Sequence, residues 1–166
     1  MNNKYKIVAK KTEVFPSQNP KPQRKRTEHS YIRSIYDCAS TGCVKTLTEI
    51  HEEIGAKKFG ILVNIRPLGK TMSALHIACV QINPDRAYDT AKFLLEHGAN
   101  ANVKKTDSLD TPLYAAVAKQ YSKLILLLLK YQANKSFANK RGKTPYMLAL
   151  QKKALCTQTE VLKALA

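Results

Sequence analysis

The chain of 166 residues has no tryptophan, and aromatic residues make up only 7% of it. Its core must therefore be assembled from Leu, Ile and Ala, which suits packing between small helices. Acidic residues are scarce too: 12 Asp and Glu stand against 28 Lys and Arg, a net charge of +16. Such a surface carries a broad positive potential that attracts acidic partners of any kind. Arginine supplies only Arg24, Arg26, Arg33, Arg66, Arg86 and Arg141 of that excess. Bidentate recognition of phosphates and bases favours arginine, so the lysine bias weakens a nucleic-acid reading. The four cysteines, Cys38, Cys43, Cys79 and Cys156, contain no Cys-x-x-Cys pair. They read as reduced packing residues of an intracellular protein rather than zinc ligands or disulfide partners. Long apolar runs are missing as well. Leu124 to Leu129 is apolar throughout but far short of the roughly 20 residues a membrane span needs, and Ile7-Val8-Ala9 is too short for a signal-peptide core.

What is present is a balance of 44% apolar and 24% charged residues, as in a soluble globular chain, and a repeated unit. Its clearest copy runs from Asp110 to Gln132. Thr111-Pro112-Leu113-Tyr114-Ala115-Ala116 is followed by a polar break at Gln120-Tyr121-Ser122 and then by Lys123 to Leu129. Thr144-Pro145-Tyr146-Met147-Leu148-Ala149 repeats the opening 33 residues later, and Tyr131-Gln132-Ala133-Asn134 echoes His97-Gly98-Ala99-Asn100 at a spacing of 34. Upstream, Ser73-Ala74-Leu75-His76-Ile77-Ala78 has the same pattern.

This pattern resembles the ankyrin repeat, whose mark is a period of about 33 residues with Thr-Pro-Leu-His-x-Ala opening the first helix. The resemblance implies an all-α solenoid of about four helix-turn-helix repeats with β-hairpin fingers between them, and a function in binding. A first, degenerate copy is Ile35-Tyr36-Asp37-Cys38-Ala39-Ser40-Thr41-Gly42, without the Thr-Pro, as suits an end unit that packs on one side only.

Two segments follow. Residues 1–29 form a basic arm, interrupted by Pro16, Pro20 and Pro22 and expected to be disordered; residues 30–166 form the repeat domain, with Ser30 as its first N-cap. In the arm, Lys10-Lys11 and, twelve residues on, Arg24-Lys25-Arg26 have the spacing of a bipartite nuclear import signal. Solvated charge on a tail is the competing reading. An outer helix is expected from Val44 through Ile54, with residues 57–62 extending it or bulging from it. Asn64 and Asn102 each lie eleven residues before the next Leu, at Leu75 and Leu113. Gln81 to Asp85 is an insertion, after which Asn83 as N-cap and Pro84 at the first helical position open a helix through Glu96, stopped by Gly98. The apolar run at Leu124 to Leu129 places the third repeat in the interior of the stack. Thr157-Gln158-Thr159-Glu160 has the form of a capping box for the last helix.

No catalytic constellation is visible, and the chain is read as a non-enzyme. Gly69-Lys70-Thr71 and Gly142-Lys143-Thr144 lack the glycine that a phosphate loop needs five residues earlier, where Asn64 and Phe137 stand. His29, His51 and His97 share no metal-ligand spacing, and no cofactor or metal is implied. The resemblance assigns His76 to a slot where the imidazole ties neighbouring loops together; Tyr36, Tyr114 and Met147 replace it elsewhere.

In the family, the fingers and the exposed face of the inner helices grip a protein partner. Carried over slot by slot, the fingers are Arg66 to Met72, Lys104 to Asp110 and Ser136 to Lys143. The corresponding inner-helix positions are Ser40, Thr41, Val80, Gln81, Ala118, Lys119, Gln151 and Lys152. The expected partner-binding set is Lys70, Val80, Gln81, Lys104, Lys105, Ala118, Lys119, Lys140, Arg141, Gln151 and Lys152. The expected partner is a protein with an acidic surface, bound by a monomer in the cytoplasm or nucleus; no membrane is involved. Small stand-alone ankyrin chains are similar to partner-sequestering proteins of viruses and intracellular bacteria, including inhibitor-of-kappa-B mimics. A nucleic-acid-associated basic protein is the alternative.

Overall fold

The computed structural model describes residues 26–152 and 159–166. Its helices are α1 (Glu28–Thr41), α2 (Val44–Ile54), α3 (Ala56–Leu62), α4 (Ala74–Cys79), α5 (Pro84–Glu96), α6 (Pro112–Lys119), α7 (Ser122–Lys130), α8 (Pro145–Gln151) and α9 (Thr159–Leu165). They stack in two layers. Helices α1, α4, α6 and α8 pack in succession as an inner layer; α2, α5, α7 and α9 form the outer one, and each inner helix lies against the outer helix of its own repeat.

The inner helices start where the sequence places a hydroxyl. The Thr111 and Thr144 side chains accept the N–H of Tyr114 and Met147 at 3.2 and 3.3 Å, and Ser73 accepts that of His76 at 3.4 Å. Pro112 and Pro145 then fill the first helical turn, where an N–H has no intrahelical partner and a fixed φ is already right. Ile35, Leu75 and Leu113 enter the core, and Ala39, Ala78, Ala116 and Ala149 are fully buried between neighbouring helices. Small side chains there let the backbones approach. In the outer layer, Leu124, Ile125, Leu127 and Leu128 of α7 are buried, with α5 on one side and α9 on the other, so the third repeat is interior as its apolar run requires.

Several boundaries differ from the sequence reading. The first cap is Thr27, not Ser30: an N-cap oxygen reaches the N–H three residues on, and Ser30 is the residue whose N–H is accepted, at 3.3 Å. Glu28 and His29 therefore belong to α1 rather than to the arm. Residues 57–62 neither extend α2 nor bulge from it. They form most of a separate helix, α3, because Gly55 turns the chain at φ 80°, a value open to glycine at little cost. α3 is held by Phe59, which is fully buried and meets His51 and Phe93 edge to face at 5.4 and 6.0 Å. α5 begins as read, with Asn83 accepting the N–H groups of Asp85 and Arg86, both at 3.0 Å. Thr157 of the capping box and Cys156 lie outside the described residues. Among the described residues there is no β-strand, so the fingers are turns rather than paired hairpins.

Adjacent repeats are also tied along the bases of the fingers. Asn64 donates to the Gly98 carbonyl at 2.8 Å and accepts the Asn100 N–H at 2.7 Å. Asn102 does the same one repeat later, donating to the Gln132 carbonyl at 3.0 Å and accepting the Asn134 N–H at 2.6 Å. The shared position of these two Asn in the sequence thus marks one recurring clamp.

Candidate functional site: the finger row and the inner-helix face

Each finger is closed by its own backbone. Lys70 N–H donates to the Pro67 carbonyl at 3.1 Å, Lys105 N–H to that of Asp110 at 2.9 Å, and Asn139 N–H to that of Lys143 at 3.0 Å. The fingers are then joined in a row. Thr106 N–H reaches the Thr71 carbonyl at 3.2 Å, Lys140 N–H reaches that of Ser108 at 2.9 Å, and Arg66 reaches across to the Lys104 carbonyl at 2.7 Å. Gly69 and Gly142, the glycines of the two Gly-Lys-Thr triplets, are turn residues at φ 75° and 71°.

His76 anchors this row from beneath. Its Nε2 lies 2.9 Å from the Asp110 carbonyl and its Nδ1 lies 2.9 Å from Ser73 Oγ. A carbonyl only accepts, so Nε2 carries the hydrogen and Nδ1 accepts from the Ser73 hydroxyl. Burial, with lesser repulsion from Lys105 and Arg66, pushes the imidazole down to about 4, and it is neutral at physiological pH. The ring is fully buried and fixes a loop.

The charges along the fingers are unevenly used. Asp110 accepts from Asn139 Nδ2 at 3.0 Å with one oxygen and from the Ser108 hydroxyl with the other. Asp107 accepts the Ser108 N–H at 2.7 Å, which holds its carboxyl below the usual range. Both finger acids are thus engaged within the fingers. The cations are not neutralised in this way: the ion pairs among the described residues are Arg26–Glu53, Arg33–Asp37, Lys58–Glu28 and Lys92–Glu96. Lys104 Nζ sits 4.1 Å above the Phe137 ring and Lys70 Nζ 5.8 Å from that of Tyr36, contacts that keep the charge. Between the second and third fingers, Asp110, Tyr114, Asn139, Lys140 and Arg141 line a cleft of about 380 Å³.

Of the expected binding residues, Lys70, Ala118, Lys119, Lys140, Arg141 and Gln151 are exposed; Val80, Lys104, Lys105 and Lys152 are half-buried. Gln81 is the exception. It is buried, with its Nε2 donating to the Ala39 carbonyl, so it braces the insertion instead of facing a partner. Of the import cluster, Arg26 is exposed and 3.7 Å from Glu53; Lys10, Lys11, Arg24 and Lys25 lie outside the described residues. Sequence reasoning missed the exposed apolar residues Leu68, Ile82, Met147 and Leu150. Leu68 was signalled by the Pro67-Leu68-Gly69 turn that carries it. Cys38 and Cys79 are buried, but Cys43 is exposed at the start of α2 and is no packing residue. Among the described residues no group of three or more His, Cys, Asp or Glu is placed to hold a metal ion, and no helix is long and apolar enough to cross a membrane.

Residues 87–166 match the family described as ankyrin repeats, in three copies. The chain is also similar to mouse ankyrin repeat and SOCS box protein 11, 38% identical over 81 residues. That match covers 49% of this chain and 23% of the relative, so the chain spans about a quarter of the relative's length. These matches show ankyrin repeats over residues 87–166, and the two-layer stack with hydroxyl-capped inner helices carries the same arrangement upstream to α1.

Proposed function

We propose that the protein is a non-enzymatic binding module that holds an acidic surface of a protein partner along its fingers and concave inner-helix face, acting as a monomer and sequestering that partner. Ankyrin repeats are generally protein-protein interaction modules. The observation that carries the finer reading is the charge imbalance of the finger row: Asp107 and Asp110 are engaged by Ser108 and Asn139, while Lys105, Lys140 and Arg141 enter no ion pair among the described residues. Rows of outward cations on bonded turns lose little entropy on docking and meet an acidic surface ready-made. The arm cations Lys10, Lys11, Arg24, Lys25 and Arg26 support entry to the nucleus in this reading.

The test is a comparison of two charge reversals on a partner captured with the intact chain. Changing Lys104, Lys105, Lys140 and Arg141 to Glu weakens binding strongly, because like charges facing each other across an interface cost several kcal/mol. Changing Lys45, Lys57, Lys123 and Lys130, exposed cations of the outer layer and α3, alters the net charge equally and has little effect. Equal losses in both sets at 0.15 M salt, where exposed charges are screened beyond about 8 Å, overturn the groove. The nucleic-acid reading rests on the net charge of +16; it requires duplex or single-stranded probes to bind with an affinity that falls steeply with salt through counterion release.

A further inference from the structure

The insertion at Gln81 to Asp85 is built as firmly as the finger row, on the rim where the inner helices end. The Tyr121 hydroxyl, from the next repeat, lies 2.7 Å from the Gln81 carbonyl and 2.8 Å from that of Ile82. Gln81 is buried and donates to the Ala39 carbonyl of the preceding repeat, and Asn83 caps α5. Three ties from three repeats thus hold a short loop whose central side chain, Ile82, is 93% exposed. An isoleucine fixed in water on a braced loop gains nothing for the fold. Beside it is a depression of about 410 Å³ floored by Ile77 and Val80 and edged by Ser40, Thr41 and Arg86. The Arg86 stem packs against Gly42, where an added Cβ would come within 3.1 Å of Arg86 Cβ and 3.2 Å of Arg86 Cδ. Its guanidinium makes no ion pair among the described residues.

We infer that this rim is a second docking surface, for an acidic protein segment in which an aliphatic side chain packs on Ile82 and Val80 while a neighbouring carboxylate pairs with Arg86. An apolar anchor beside one pre-positioned cation is the composition of an interface hot spot. The arginine fork selects a carboxylate over other acceptors, and the charge of the whole chain favours an acidic occupant. The inference rests on the reading of the protein as a binder of acidic partners and shares Val80 with the inner-helix face of that reading, but it uses none of the finger cations, so the finger-charge test and this one fail separately.

The probe is a short fluorescein-labelled peptide in which leucine alternates with glutamate, titrated against the intact protein by anisotropy at 0.15 M salt, with amide shifts recorded by NMR. The expected result is saturable binding that shifts the amides of Val80, Ile82 and Arg86. Ile82→Ser and Arg86→Gln each weaken it by about tenfold, the size of a hot-spot loss. Tyr121→Phe, which keeps the ring but releases the loop, weakens it with both contact side chains intact. Reversing Lys104, Lys105, Lys140 and Arg141 leaves peptide binding at this rim unchanged. Equal binding by an all-glutamate peptide, shifts confined to the fingers, or indifference to Ile82→Ser and Arg86→Gln would overturn the inference. So would concentration-dependent shifts of the same amides without peptide, which would assign the rim to a second copy of the chain.

Discussion

His76 Nε2 lies 2.9 Å from the Asp110 carbonyl, so a buried side chain of the second repeat supports the finger that leads into the third. Its ring is held down at about 4 by burial, against about 6.5 for a histidine in water. The unfolded chain therefore binds the extra proton between these values. The stability is present above pH 6.5 and is lost as pH falls towards 4, amounting to about 2 kcal/mol between pH 7 and pH 5. Urea denaturation at the two pH values should show that drop in the natural protein. His76→Gln, which cannot titrate, should be less stable at pH 7 but show a clearly smaller drop.

Leu128 is fully buried in α7, whereas Leu68 on the first finger is 92% exposed. Leu128→Ala should destabilise the fold by about 2 to 5 kcal/mol, the transfer and cavity cost of a core leucine. Leu68→Ala should change stability by less than about 0.5 kcal/mol. Thermal denaturation of the two variants checks both values; similar losses would contradict the two-layer packing.

Two glycines with nearly the same backbone should respond differently to alanine. Gly42 at φ 76° has Gln81 Oε1 2.9 Å from the position of an added Cβ, while Gly69 at φ 75° has nothing within 4 Å among the described residues. Gly69→Ala meets only the left-handed backbone cost, about 1 to 2 kcal/mol. Gly42→Ala adds the displacement of Gln81 from the Ala39 carbonyl and should cost more than Gly69→Ala by about 1 kcal/mol or more. Faster hydrogen exchange at Ile82 in Gly42→Ala alone would show that the bracing of the insertion had been released.

The sequence revealed the repeats because their signals are local. A threonine before a proline, a leucine and then an alanine each act within one helical turn, so the repeated openings at Thr111-Pro112 and Thr144-Pro145 and the start of α5 at Pro84 could be read directly. What was hidden depends on contacts between repeats. Gln81 occupies a slot that faces a partner in a regular unit, and only the packing of the longer loop beneath Gly42 turns it inward. α3 was hidden because a glycine such as Gly55 ends a helix or permits a new one equally well, and the choice is made by Phe59 finding His51 and Phe93. Of the candidate site, the finger positions came from the family resemblance, carried over slot by slot onto this sequence. The engagement of Asp107 and Asp110, which leaves the cations dominant, was not, because it depends on side-chain partners such as Asn139 in another finger.

The Asn102 clamp makes the sharpest stability prediction, because it supports a strained neighbour. Gln132 stands where the second repeat has Gly98, and it adopts φ 58° without being glycine. Its carbonyl accepts from Asn102 Nδ2 at 3.0 Å, and two residues on, the Asn134 N–H donates to Asn102 Oδ1 at 2.6 Å. Asn102→Ala removes both bonds and leaves a left-handed glutamine unsupported, a loss of about 1 to 3 kcal/mol. Gln132→Gly relieves the backbone strain and should stabilise the natural protein by up to about 1 kcal/mol. In the double variant the glycine should recover part of the loss, because a relaxed turn no longer relies on the clamp to hold its conformation. A double-mutant cycle by urea denaturation measures this coupling, expected at about 0.5 kcal/mol or more for residues in direct contact. Strict additivity would mean that the clamp and the turn are independent, and the Asn at this slot would then contribute only its two hydrogen bonds.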